Sequence, residues 1–153
     1  MLTGLEHTVK MKENLAIDYE HFLTGNLKFM ALERLMIFSL TGEVIRRTCR
    51  HDLESFFYVF IVGCIEYEKV SESKDNSMND WCRKDLKMNF MCKAYDVMSS
   101  EMLEKFTPSF EGLKGLGIIL RKILFNYNGK YIETPEDCGP LYQRMIKAFD
   151  KTI

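Results

Sequence analysis

Across residues 56–65 the chain runs ten positions without a charge, and only Gly63 among them lacks an apolar or aromatic side chain. This is half the length a bilayer span requires, so the run reads as a core element. Periodicity alone does not separate a buried strand from a buried helix. Length favours a helix over residues 52–67, with Asp52 as its N-cap, accepting from the amide of Ser55. A helix apolar on every side must be surrounded, so the other segments are expected to pack around it.

Before this run the pattern is weaker. Leu15-Ala16-Ile17 is a short apolar strip and Thr24-Gly25-Asn26 a turn signal. Residues 29–36 read as a short helix, with Phe29, Leu32, Leu35 and Met36 on one face, ended by Thr41-Gly42. After the core run, residues 69–80 are polar and turn-rich and predict a surface loop, anchored by Trp81. Residues 84–99 carry helical spacing through Leu86, Phe90, Ala94 and Val97 or Met98. Ser100 reads as the N-cap of a short helix reaching Phe106, which Thr107-Pro108 stops. Residues 110–126 form the next amphipathic helix, with Leu113, Leu116, Leu120, Ile123 and Leu124 inward and Gly129 beyond its end. A last helix follows Gly139-Pro140, with Leu141, Met145, Ala148 and Phe149 inward. The fold class is mainly α, in one domain over residues 1–153.

Composition changes this picture little. The net charge of −1 gives no reason to expect nucleic acid or an anionic membrane as partner. The five cysteines, at 49, 64, 82, 92 and 138, form no C-x-x-C pair and an odd count, which argues against a disulfide framework or a zinc site. No apolar leader is visible in residues 1–12, and an intracellular setting, cytoplasmic or nuclear, fits best. Arg46, Arg47, Arg50 and His51 make a basic cluster that reads as a solvated connection.

Catalytic signals are sparse. Gly112, Gly115 and Gly117 lie in a helical context with no preceding strand, so close helix packing explains them better than phosphate binding. His7, His21 and His51 have no metal-ligand spacing. No nucleophile, base and orienting group can be named together.

Two blocks then carry a resemblance. Phe29-Met30-Ala31-Leu32-Glu33, following Thr24-Gly25-Asn26-Leu27-Lys28, resembles the end of a protein-kinase activation segment. His51-Asp52-Leu53-Glu54-Ser55-Phe56-Phe57 follows at a suitable distance, and the pairing is similar to the fungal-type protein kinase family. The segments around Phe110, Leu120 and Ile146 resemble that family's C-terminal parts, so the likeness covers roughly residues 14–153. It implies a helical kinase C-lobe built around one buried central helix at 52–67, with an activation-segment remnant at 14–36, a surface loop at 69–80 and a helical remainder at 84–153. Asp52 would anchor the backbone of a catalytic loop. Gly25, Phe29 and Met30 would form the loop that receives the substrate residue after the phosphoacceptor. Glu33 would pair with an arginine late in the lobe, Arg121 or Arg144.

The departures from the family carry equal weight. The Gly-rich loop, strand lysine, catalytic loop and N-terminal lobe have no counterpart in the sequence. If Asn14-Leu15-Ala16 occupies the metal-binding position, Asn14 replaces the Asp, and a neutral amide is a poor magnesium ligand. Asn26 replaces the usual Thr and Leu32 the usual Pro. The family uses ATP and magnesium; this chain alone is expected to use neither, to have no catalytic residues, and to be a truncated or degenerate kinase lobe. The alternatives are part of an active kinase whose remaining lobe lies elsewhere, and a helical interaction module. Losing a catalytic loop would leave apolar surface near Leu53, Phe56 and Phe57 for a protein partner.

Overall fold

The computed structural model describes residues 27–67, 78–125 and 135–152. The described residues are mainly helical and include no strand. Among the described residues six α-helices succeed one another: α1 (Leu32–Thr41), α2 (Cys49–Glu66), α3 (Leu86–Ser99), α4 (Glu101–Glu104), α5 (Lys114–Phe125) and α6 (Gly139–Asp150). Among the described residues there are also 3₁₀ turns at Leu27–Phe29, before α1, and at Asn79–Cys82 and Pro108–Leu113, between helices.

α2 is the expected buried element, and it starts earlier than its apolar run suggested. Thr48 is the N-cap; its hydroxyl accepts from the His51 amide, and the Thr48 amide donates to His51 Nδ1 at 3.2 Å. This reciprocal box satisfies two donors that a helix start leaves free. Asp52 therefore lies inside the first turn and not at the cap. The helix closes at Glu66, with Phe57, Tyr58, Ile61 and Ile65 fully buried.

The other elements close around it. The Leu27–Phe29 turn and α5 lie directly against α2, α1 packs on α3, and α6 packs on α5. Gly42 ends α1 in the left-handed conformation at φ 73°, its amide donating to the Phe38 carbonyl at 2.9 Å. Trp81 is fully buried, edge-on to Tyr58 with centroids 5.2 Å apart, and anchors the chain before α3 as expected. α4 differs from expectation: Ser100 itself has φ 67° and makes no side-chain cap, and the Ser99 hydroxyl accepts from the Glu101 amide instead. Of the three glycines near α5, Gly117 alone sits in a close contact. A methyl there would meet Leu103 Cδ2 at 2.7 Å, whereas Gly112 and Gly115 face open space.

The cysteine expectation is corrected. Cys49, the first residue of α2, and Cys138, just before α6, form a disulfide with Cα atoms 6.4 Å apart. An odd count and the lack of C-x-x-C say nothing about pairs that the fold brings together over 89 residues. Cys64, Cys82 and Cys92 are free. Among the described residues, no helix is long and apolar enough to cross a membrane.

Candidate functional site

Among the described residues, a densely bonded buried polar group is built from one face of α2. Arg50, Glu54 and Tyr58 follow one another at i, i+4 and i+8, so their side chains share a stripe. All three are essentially without solvent contact. Glu54 Oε2 accepts from Arg50 Nη1 at 2.6 Å; Glu54 Oε1 accepts from the Tyr58 hydroxyl at 2.6 Å and from the Leu32 amide at 2.7 Å. Arg50 also donates to the Leu124 carbonyl at 3.2 Å and lies 5.5 Å from the centroid of Phe125.

The Leu32 bond explains how α1 begins. Its N-cap residue, Ala31, has no side-chain acceptor, and the first amide of the helix is taken instead by a carboxylate from α2. A buried anion at a helix N-terminus also meets the positive end of the helix dipole. Burial and the neighbouring Glu54 carboxylate push the Tyr58 hydroxyl well above its ordinary range, so it remains a donor.

A second grip holds the same stretch from the other side. Lys93 of α3 is fully buried and donates to the carbonyls of Leu27 at 3.1 Å and Met30 at 2.9 Å. Its ammonium lies 4.3 Å from the Tyr58 ring centroid and 5.1 Å from that of Trp81. Burial lowers its pKa from 10.5 to about 7, against the opposing pull of Glu54. Lys28 completes the attachment, bonding both oxygens of Glu66 at 2.7 and 2.8 Å.

Residues 27–33 are thus fastened to α2 and α3 by four side chains: Lys28 and Glu33 from within, Glu54 and Lys93 from outside. Phe29 is half-buried and packs against the core, and Met30 is buried. Glu33 takes neither Arg121 nor Arg144. Its carboxylate accepts from His51 Nε2 at 2.7 Å, and because His51 Nδ1 accepts from Thr48, the ring proton sits on Nε2. Arg121 serves α3 instead, donating to the last-turn carbonyls of Val97 and Met98 at 3.0 Å each. Arg144 is exposed on α6. Asp52 is exposed at the head of α2 and pairs with Arg47. Gly25 and Asn14 lie outside the described residues.

The expected exposed patch is narrower than the sequence suggested. Leu53 and Phe57 are buried; Phe56 is half-exposed. α6 supplies the cover, with Phe149 edge-on to Phe56 at 5.9 Å. What remains is a shallow apolar groove of about 250 Å³ between Leu53, Phe56, Tyr142, Met145, Ile146 and Phe149.

No group of three or more His, Cys, Asp or Glu able to hold a metal exists among the described residues.

Residues 1–64 match the family model for fungal protein kinase. No curated protein and no solved structure matches the chain. The matched stretch ends at Cys64 inside α2, so it contains the whole Arg50–Glu54–Tyr58 stripe and the segment that stripe holds.

Proposed function

We propose that this chain is the substrate-side part of a kinase-like C-lobe of the fungal type, and that it does not transfer phosphate by itself. The fungal protein kinase match supports a kinase-related role. The observation that carries the finer reading is the double grip on residues 27–32. The stretch that resembles a substrate-receiving loop is held by Glu54 at the Leu32 amide and by Lys93 at the Leu27 and Met30 carbonyls. A loop that presents a peptide surface must keep its shape, and buried charge-assisted bonds give that rigidity.

The test is thermal unfolding with and without Mg-ATP, together with a labelled-ATP incorporation assay. The melting temperature is expected to stay within about 1 °C and no label to enter the protein, since a ligand stabilises only the state it binds. A rise of several degrees, or label in the chain, overturns the proposal.

A second reading is favoured by Asp52. Its carboxylate stands exposed at the head of α2, paired with its near neighbour Arg47. A backbone segment supplied from elsewhere, as a catalytic loop would be, could displace that solvent-facing pair at small cost. In that reading the chain is one part of an active kinase. An in-frame H-R-D-like stretch in the genomic sequence upstream of Met1 is its required observation, and a search that finds none removes it.

A further inference from the structure

We propose that Cys49 and Cys138 form a redox-switched clasp between the heads of α2 and α6, closed and opened by exchange with a glutathione-type thiol and disulfide pool. The cross-link joins the first residue of the central helix to the residue preceding the last one. The Cα separation of 6.4 Å falls within the range that disulfides span without backbone movement. Both residues are half-buried, so a small thiol can reach them.

Among the free cysteines, Cys64 does not compete. Cys64 is buried and burial raises its thiol to about 11, which leaves almost no thiolate near neutral pH. Cys82 and Cys92 belong to the Asn79–Cys82 turn and to α3, and each is free. Cys49 has the feature that favours attack: it occupies the first turn of an 18-residue helix, where free amides stabilise a thiolate.

Closure runs in two exchanges. The Cys49 thiolate attacks glutathione disulfide, forming a mixed disulfide and releasing one glutathione thiolate. The Cys138 thiolate then attacks the Cys49 sulfur, forming the protein disulfide and releasing the second. Two protein thiols are oxidised, one glutathione disulfide is reduced, and the two protons pass to the two departing thiolates. Excess glutathione reverses both steps.

The clasp has a mechanical consequence. Leu53 and Phe56 lie one to two turns beyond Cys49, and Tyr142 and Met145 the same distance beyond Cys138; these four are in the lining of the α2–α6 groove. Past the clasp, α6 meets α2 through Phe149, which stacks edge-on against Phe56 and Phe60. Opening the clasp removes the covalent tie at one end of that contact, so α6 gains freedom and the groove widens.

The experiment equilibrates the full chain in glutathione buffers of graded ratio, quenches with N-ethylmaleimide, and reads the Cys49–Cys138 peptide by mass spectrometry. Hydrogen exchange is followed in parallel over residues 139–150 and 86–99. The disulfide peptide should follow the buffer ratio. Exchange in 139–150 should rise by about tenfold on reduction while 86–99 stays constant. Cys49→Ser should exchange fast in 139–150 at every ratio; should that variant not fold, reduction of the native chain supplies the same readout. Absence of the disulfide peptide at all ratios, a peptide pairing either residue with Cys82, or an unchanged exchange rate in 139–150 overturns the proposal.

Discussion

Glu54 and Lys93 are both fully buried charges, and both hold the backbone of the same six residues, yet they are compensated in opposite ways. The Glu54 carboxylate is matched within its own helix by Arg50 one turn before and Tyr58 one turn after. The Lys93 ammonium has no carboxylate in contact among the described residues. It rests on two carbonyls and two aromatic faces, and burial drags it down to about 7. The anion has a full set of donors, whereas the cation is poised to lose its proton. The fungal protein kinase match contains the first grip entirely, while Lys93 and Trp81 lie beyond its end.

The comparison breaks most sharply at Glu54. Glu54→Ala should cost about 3–5 kcal/mol in urea denaturation, because it strands a buried Arg50 and leaves the Leu32 amide unpaired. A domain of ordinary stability loses much of its margin at that cost. The double change Arg50→Met with Glu54→Met should recover a large part of the loss, since it removes both charges together. A single substitution costing under about 1 kcal/mol would mean that the network contributes little and the contrast with Lys93 is empty.

Lys93 should show itself through pH. Its folded pKa is near 7, against an ordinary 10.5 in the unfolded chain. Between these values the unfolded state holds a proton that the folded state has released, so stability rises with pH by up to about 1.4 kcal/mol per unit. The groups facing Lys93 are Glu54, Tyr58 and Trp81, with Cys82 acting on it electrostatically. Cys64 works the other way: its thiol is raised to about 11, so its contribution falls as pH climbs past the ordinary value of 9.0. The rise should therefore be clearest from about pH 7 to 9. Lys93→Met should flatten it and cost about 1–2 kcal/mol at pH 9, where its two carbonyl acceptors lose their donor. An identical pH profile in wild type and variant would place the titration elsewhere.

How much of this was legible follows the same division. The central helix declared itself through its uncharged run, and the inward faces of α5 and α6 through their spacing. The start of α2 was misplaced because its box uses His51 in place of the usual Glu or Gln, so Asp52 looked like the better cap. The Arg50–Glu54–Tyr58 stripe was readable in principle, as three polar groups at four-residue spacing heading an apolar helix. Lys93 was not. The spacing of Leu86, Phe90 and Ala94 points to a face one position away from the buried one, where Asn89, Lys93 and Val97 sit. Asn89 donates to the carbonyls of Trp81 and Arg83, as Lys93 does to those of Leu27 and Met30. Those acceptors belong to irregular turns, and hydropathy along one helix carries no information about carbonyls brought by another segment. The Glu33 partner was missed for a related reason: His51 is local in space only because residues 31–33 are clamped down by Glu54. The Cys49–Cys138 pair likewise depends on tertiary juxtaposition alone.

Lys28 sharpens the comparison at its low end. It serves the same segment, and its two bonds to Glu66, at 2.7 and 2.8 Å, are within 0.2 Å of those at Glu54. What differs is water: the Lys28 and Glu66 side chains keep 16% and 29% of their exposure. Solvent screens the attraction in the folded state and rehydrates either partner when the other is removed. Lys28→Ala should therefore cost only about 0.5–1 kcal/mol, and the cost should shrink in 1 M salt, where the screening length falls to about 3 Å. The effect of Glu54→Ala should hardly respond to salt, because ions do not reach the buried pair. Equal costs and equal salt responses for the two substitutions would show that bond length, and not burial, sets the strength of the grip on residues 27–33.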